Sequence, residues 1–263
     1  MNVVISKDGT PIAYQASGVG PPLVLLHGVG GVATRWAPIS RTFAEHFRVC
    51  AVDRRGRGAS GDADAYAIER EFEDVAAVVD ALGEPANVLG HSYGAICALE
   101  AARLTPHMRK LILYEPPIPL PGGPVHPPGI VERLEALLEA GDRAAVLTTF
   151  TLEVVGMPPQ VFEMFRSSPT WPERVVAAHT LPRELRAHAR YRFEPSHFED
   201  MRVPTLLLLG GDSPHRYQAA MSTLHAALPN SRVVVLPGQQ HIAMDTAPDL
   251  FAREVVAFLS EPD

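Results

Sequence analysis

Ser92 stands between two glycines in Gly90-His91-Ser92-Tyr93-Gly94. That spacing suits a serine presented on a sharp strand-to-helix turn, where the positions two residues either side must carry little or no side chain. The run before it, Ala86-Asn87-Val88-Leu89, reads as a strand, and Ala95-Ile96-Cys97-Ala98-Leu99-Glu100-Ala101-Ala102 is dense in helix formers. A hydroxyl is a poor nucleophile at neutral pH. It needs an imidazole to take its proton, and the imidazole needs a carboxylate to hold its tautomer and stabilise its charged form. Asp212 and His241 are the expected partners, because each follows a predicted strand, 203–209 and 231–236, and the order Ser92, Asp212, His241 suits a serine on such an elbow. A second carboxylate, Glu115, closes the earlier strand 111–114 but precedes Pro116 and Pro117, where it is read as shaping a loop entrance.

The elements that must position these groups are strands alternating with helices. Residues 2–7 and 11–17 read as a hairpin around Asp8-Gly9-Thr10-Pro11, and Leu23-Val24-Leu25-Leu26 and 47–52 are continuous apolar runs of the kind buried on both faces of a parallel sheet. Helices are expected at 34–46, 68–82, 215–227 and 247–260. In an open α/β sheet, loops at the carboxyl ends of strands carry the site, so Ser92, Asp212 and His241 should share one edge. Between about 118 and 200 the strand pattern stops. A Pro- and Gly-rich stretch from Ile118 to Pro128 leads into amphipathic helices, with Ile130, Leu134, Leu137 and Leu138 marking one and 144–155, 158–167 and 171–179 three more. The expected division is a core of residues 1–117 and 201–263 with a helical cap at 118–200.

Composition bounds the partners. The chain of 263 residues carries a formal net charge of -7, without the basic excess that a phosphate backbone demands, so nucleic acid is not expected. The N-terminus lacks the pattern of a signal peptide and no apolar run reaches membrane-spanning length; a cytoplasmic protein with no membrane contact is the expectation. Cys50 and Cys97, the two cysteines, lie in apolar runs and suggest neither a disulfide nor a metal site. A homodimer is compatible with this composition.

The arginines of Asp53-Arg54-Arg55-Gly56-Arg57-Gly58-Ala59-Ser60 could suit phosphate, but no glycine-rich turn leads there from a strand into a helix N-terminus. Asp53 is expected to hold that turn. His27 and His91 should brace the loops nearest Ser92, whereas His126, His179, His188 and His197 are read as solvated positions on or beside the cap helices. Arg166, Arg174, Arg183, Arg186, Arg190 and Arg192 are read as a charged outer face, and Trp36 and Trp171 as core.

Taken together, His27-Gly28-Val29-Gly30, Asp53-x-Arg55-Gly56-x-Gly58-x-Ser60, Gly90-x-Ser92-x-Gly94, Gly211-Asp212 and His241 make the chain resemble the capped serine members of the α/β-hydrolase fold superfamily, with their esterase- and lactonase-like enzymes. Gln240 stands where many of its members have glycine. The resemblance implies a mostly parallel, doubly wound sheet of about eight strands and a cofactor-free hydrolase without metal. It makes Ser92 the nucleophile, His241 the base and then acid, Asp212 its orienting partner with Glu115, at the end of the earlier strand, as the alternative acid, and the Val29 and Tyr93 N–H groups the oxyanion hole. The implied reaction is cleavage of a carboxylic ester or lactone of a small, partly apolar molecule through an acyl-enzyme. Hydrolysis of a carbon–carbon bond beside a ketone, or non-hydrolytic small-molecule binding, are the rival readings; Ser92 itself excludes an aspartate nucleophile.

Overall fold

A computed structural model describes residues 1–120, 122 and 124–262. Pro121 and Gly123, within the expected cap, and Asp263 lie outside the described residues. The strands are β1 (Asn2–Ile5), β2 (Pro11–Ser17), β3 (Pro22–Leu26), β4 (Arg48–Val52), β5 (Ala86–His91), β6 (Met108–Tyr114), β7 (Thr205–Gly210) and β8 (Ser231–Leu236). They form one sheet in the order β1-β2-β4-β3-β5-β6-β7-β8. β1 and β2 enter antiparallel, and every pairing from β4 to β8 is parallel. This is the mostly parallel, eight-stranded architecture expected.

Strand side chains alternate between two cores. Val24, Val88, Leu111 and Leu113 face one apolar cluster, while Leu23, Leu25, Leu89 and Ile112 face the other. Such two-sided burial requires the uninterrupted apolar runs seen in the sequence. Helices α1 (Ala37–Ala44), α2 (Ile68–Ala81) and α3 (Tyr93–Ala101) precede β6. On one face α2 and α3 pack with Phe72, Val75, Ile96 and Leu99; on the other, α1 contributes Ile39 and Phe43. Trp36, Cys50 and Cys97 are buried, both cysteines as free thiols.

Between β6 and β7 come α4 (Ile130–Glu139), α5 (Arg143–Thr149), α6 (Pro159–Arg166), α7 (Trp171–Ala177) and α8 (Leu181–Arg190). The helix expected at 144–155 is α5 followed by a widened π turn at Phe150–Val155. Ile130, Leu134, Val146, Leu147, Phe150, Ala178, Leu181 and Leu185 form a third apolar cluster, and Val29 and Trp171 pack against it. After β7, α9 (His215–Ala227), the short α10 (Ala243–Thr246) and α11 (Pro248–Ser260) complete the chain. Among the described residues, no helix is long and apolar enough to cross a membrane.

Candidate active site

The elbow is built by steric necessity. Ser92 has φ 56° and ψ -125°, a conformation that L-residues rarely adopt and that costs on the order of 1–3 kcal/mol. Its N–H donates to Tyr114 O at 2.9 Å, which fixes the end of β5 against β6. A Cβ on Gly94 would sit 2.5 Å from both Leu26 O and His27 O, and one on Gly90 would sit 2.5 Å from the Ala95 Cα. A Cβ on Gly28 would lie 2.9 Å from that of Ser92. The glycines therefore admit backbones that no side chain could share.

The only other non-glycine residue with positive φ among the described residues is Glu115, at 46°, directly after β6. Its side chain is fully buried and saturated with donors. Oε1 accepts from Gly210 N at 2.7 Å and Ser213 Oγ at 2.5 Å, and Oε2 faces His241 Nδ1 at 2.7 Å. The expectation that Asp212 partners the histidine is thereby corrected. Asp212 is exposed, and its N–H is tied to Gln239 O at 2.9 Å, while Glu115 reaches under the end of β7 to the imidazole.

His241 is clamped on both sides. The Tyr217 ring stacks on it with centroids 4.6 Å apart, and its hydroxyl lies 3.5 Å from Nε2. His91 lies against it, also at 4.6 Å, and donates from Nε2 to His241 O at 2.8 Å. The Tyr114 hydroxyl donates to Gln240 O and accepts from Ala243 N, so the loop that has glutamine in place of the usual glycine is anchored on both sides of the histidine. His27 likewise braces its loop: Nδ1 donates to Gly28 O at 2.8 Å and Nε2 accepts from Arg54 N. Burial pushes both His27 and His91 well below the ordinary histidine range, so both are neutral.

Ser92, His241, Val29 and Tyr93 line one cavity of about 410 Å3. Its other walls include Ile118, Phe150 and Val154 of the π turn, and Leu185 of α8. Ser92 Oγ makes no hydrogen bond to His241 among the described residues; such bonds commonly close only when substrate is seated. The N–H groups of Val29 and Tyr93 have no backbone acceptor among the described residues, and Tyr93 opens α3, where a first-turn donor is unpaired by geometry.

His126 and His188 depart from the solvated reading. Both line this cavity, His188 Nδ1 lies 3.1 Å from His126 Nε2, and His188 Nε2 donates to Pro117 O at 2.6 Å. Asp53 does hold its turn, accepting from Ala33 N at 2.7 Å and Ala59 N at 3.1 Å. The arginines beside it turn inward. Arg54 grips Glu71 and, with Arg57, the Glu184 of α8, while its guanidinium lies 4.6 Å from the Tyr93 ring centroid. Tyr66 joins this network, its hydroxyl 2.9 Å from that of Tyr93. Tyr217, Tyr66 and Glu184 carried no sequence signal beyond lying on predicted helices or loops.

A family model described as "Alpha/beta hydrolase family" matches residues 23–254. The chain belongs to the alpha/beta hydrolase family. The structure of an alpha/beta hydrolase from Sphaerobacter thermophilus superposes with a TM-score of 0.85 at 39% identity, covering 98% of this chain and 100% of that one. Among curated relatives, (E)-2-((N-methylformamido)methylene)succinate hydrolase of Acinetobacter baylyi is 25% identical over 94% of this chain and 93% of its own. The 2-(acetamidomethylene)succinate hydrolase of Mesorhizobium japonicum is 23% identical over 93% of this chain and 90% of its own.

Proposed function

We propose that the protein is a serine hydrolase of carboxylic esters or lactones, with Ser92, His241 and Glu115 as its catalytic set. One observation carries this reading: the elbow serine and the Glu115-held imidazole open onto the same cavity. Because Glu115 accepts from Nδ1, the proton resides there and Nε2 keeps a lone pair towards the cavity.

In the reaction, Ser92 Oγ attacks the substrate carbonyl carbon as its proton passes to His241 Nε2. The carbonyl oxygen, now an oxyanion, takes hydrogen bonds from the Val29 and Tyr93 N–H groups, each worth roughly 3 kcal/mol of barrier. Collapse breaks the bond to the leaving oxygen, which takes the proton from Nε2. Water then gives a proton to Nε2 and attacks the acyl-enzyme; collapse of the second tetrahedral intermediate passes that proton to Ser92 Oγ and releases the acid. Residues 118–200 act as the cap, since Phe150, Val154, Leu185 and His188 from this segment wall the cavity that Ser92 lines.

A second reading, cleavage of a C–N bond, is favoured by two relatives whose names describe hydrolases of N-acylated aminomethylene succinates. The chemistry differs only in the leaving atom, which His241 must protonate before it departs. Hydrolysis of para-nitrophenyl acetate and para-nitroacetanilide by wild type and S92A tests both. The ester reading expects faster turnover of the ester and a loss on the order of 10⁶ in kcat in the variant; near-wild-type turnover by S92A would overturn both readings.

A further inference from the structure

Arg35, Arg54, Arg55 and Arg57 are buried, and each grips a carboxylate: Asp245, Glu71 and Glu184, Asp74 and Asp8, and Glu184 respectively. Arg174, on α7, is also buried, 6% exposed, yet has no carboxylate within ion-pair distance among the described residues. Its Nε donates weakly to Thr170 Oγ1 at 3.3 Å, and its guanidinium lies 4.6 Å from the Phe165 ring centroid. Burial, and then the neighbouring Arg35 charge, pull it down to about 9, as befits a cation short of a counter-charge. The sequence had suggested an outer-face arginine. Arg166, Arg186, Arg190 and Arg192 are indeed exposed, but Arg174 turns inward.

It turns into a recess. A space of about 60 Å3 is lined by Arg174, Arg35, Gly28, Gly30, Ser92 and His241, among others, and it shares Val29, Ser92, Phe150 and His241 with the large cavity. A cavity of about 10–15 Å3 already holds one water, so the recess has room for a small group such as a carboxylate. A planar guanidinium offers paired donors matched to a carboxylate. Arg35 is already engaged by both oxygens of Asp245, which leaves Arg174 to supply the charge.

We propose that this recess is a carboxylate subsite, and that the substrate carries a short anionic arm next to its scissile carbonyl, as a monoester or monoamide of a small dicarboxylic acid does. The proposal rests on Ser92 as the nucleophile. With the carbonyl on Ser92, the short arm enters the recess towards Arg174 and the leaving group occupies the larger, apolar cavity.

The test compares para-nitrophenyl hemisuccinate with para-nitrophenyl pentanoate, of similar length and no charge, in wild type, R174M and R174K. Thermal shift with succinate alone serves as a readout independent of turnover. The subsite predicts that R174M lowers kcat/KM on the hemisuccinate at least about tenfold more than on the pentanoate, mainly through KM, and that R174K recovers part of the difference. It also predicts stabilisation of wild type by succinate that R174M lacks. Equal effects on the two esters, or succinate stabilisation that is absent in wild type or equal in R174M, would overturn the subsite. If wild type cleaved neither ester, the hydrolase reading would fail, while the succinate comparison would still decide the subsite.

Discussion

Glu115 Oε2 lies 2.7 Å from His241 Nδ1, across the end of β7, and the same carboxylate takes Gly210 N and Ser213 Oγ on its other oxygen. Three donors on one buried carboxylate fix the imidazole plane as well as its tautomer. Replacing the acid should therefore cost far more than a single hydrogen bond. We expect E115Q to lower kcat on the order of 10⁴, as loss of the orienting carboxylate does in other serine enzymes, and D212N to stay within about threefold of wild type. Steady-state kinetics on an activated ester decides it; a larger loss in D212N would return the acid to β7.

The two carboxylates illustrate how far sequence reasoning reached. Both follow buried parallel strands, and both are preceded by apolar runs of the same kind. Which one meets His241 depends on how the loops leave β6 and β7, a tertiary property that neither residue's neighbours encode. Pro116 and Pro117 favoured a loop-shaping reading of Glu115 and concealed its left-handed backbone, the feature it shares with Ser92. The strands themselves were legible because burial on both faces demands unbroken Val and Leu runs, and Ser92 because Gly90 and Gly94 are imposed by 2.5 Å approaches. His188 and Arg174, both on helices, were misread for a common reason. Helical periodicity separates an apolar face from a polar one, but cannot tell a polar face in water from one turned to a cavity.

Acid should destabilise the fold well above carboxylate pH. Burial holds His188, and burial with the neighbouring His188 holds His126, at about 4 in the native state, below the ordinary 6.5. Between those values the unfolded chain binds more protons than the folded one, so stability is fully present above pH 6.5 and falls as pH drops towards 4. For His188 alone the loss amounts to at most roughly 3 kcal/mol. Urea unfolding at a series of pH values checks this; constant stability from pH 7 to 4.5 would contradict it.

Glu184 joins α8 to the loop after β4 through Arg54 and Arg57, all three buried. Removing it leaves the buried Arg57 guanidinium without a carboxylate among the described residues and Arg54 with Glu71 alone. E184L should cost on the order of 3–5 kcal/mol and expose the 118–200 segment to limited proteolysis before the rest of the chain. Unchanged unfolding midpoints and cleavage patterns would show that the network does not hold the 118–200 segment to the loop after β4.

In the proposed function, Ser92 is activated by an imidazole that Glu115 orients. The most direct measurement is the rate of covalent labelling by a fluorophosphonate, followed by intact mass and located by peptide mapping, in wild type, S92A, H241Q and E115Q. The account predicts a single adduct on Ser92 in wild type, none in S92A, and labelling slowed by orders of magnitude in both H241Q and E115Q. An adduct elsewhere, or labelling of E115Q at the wild-type rate, would contradict it.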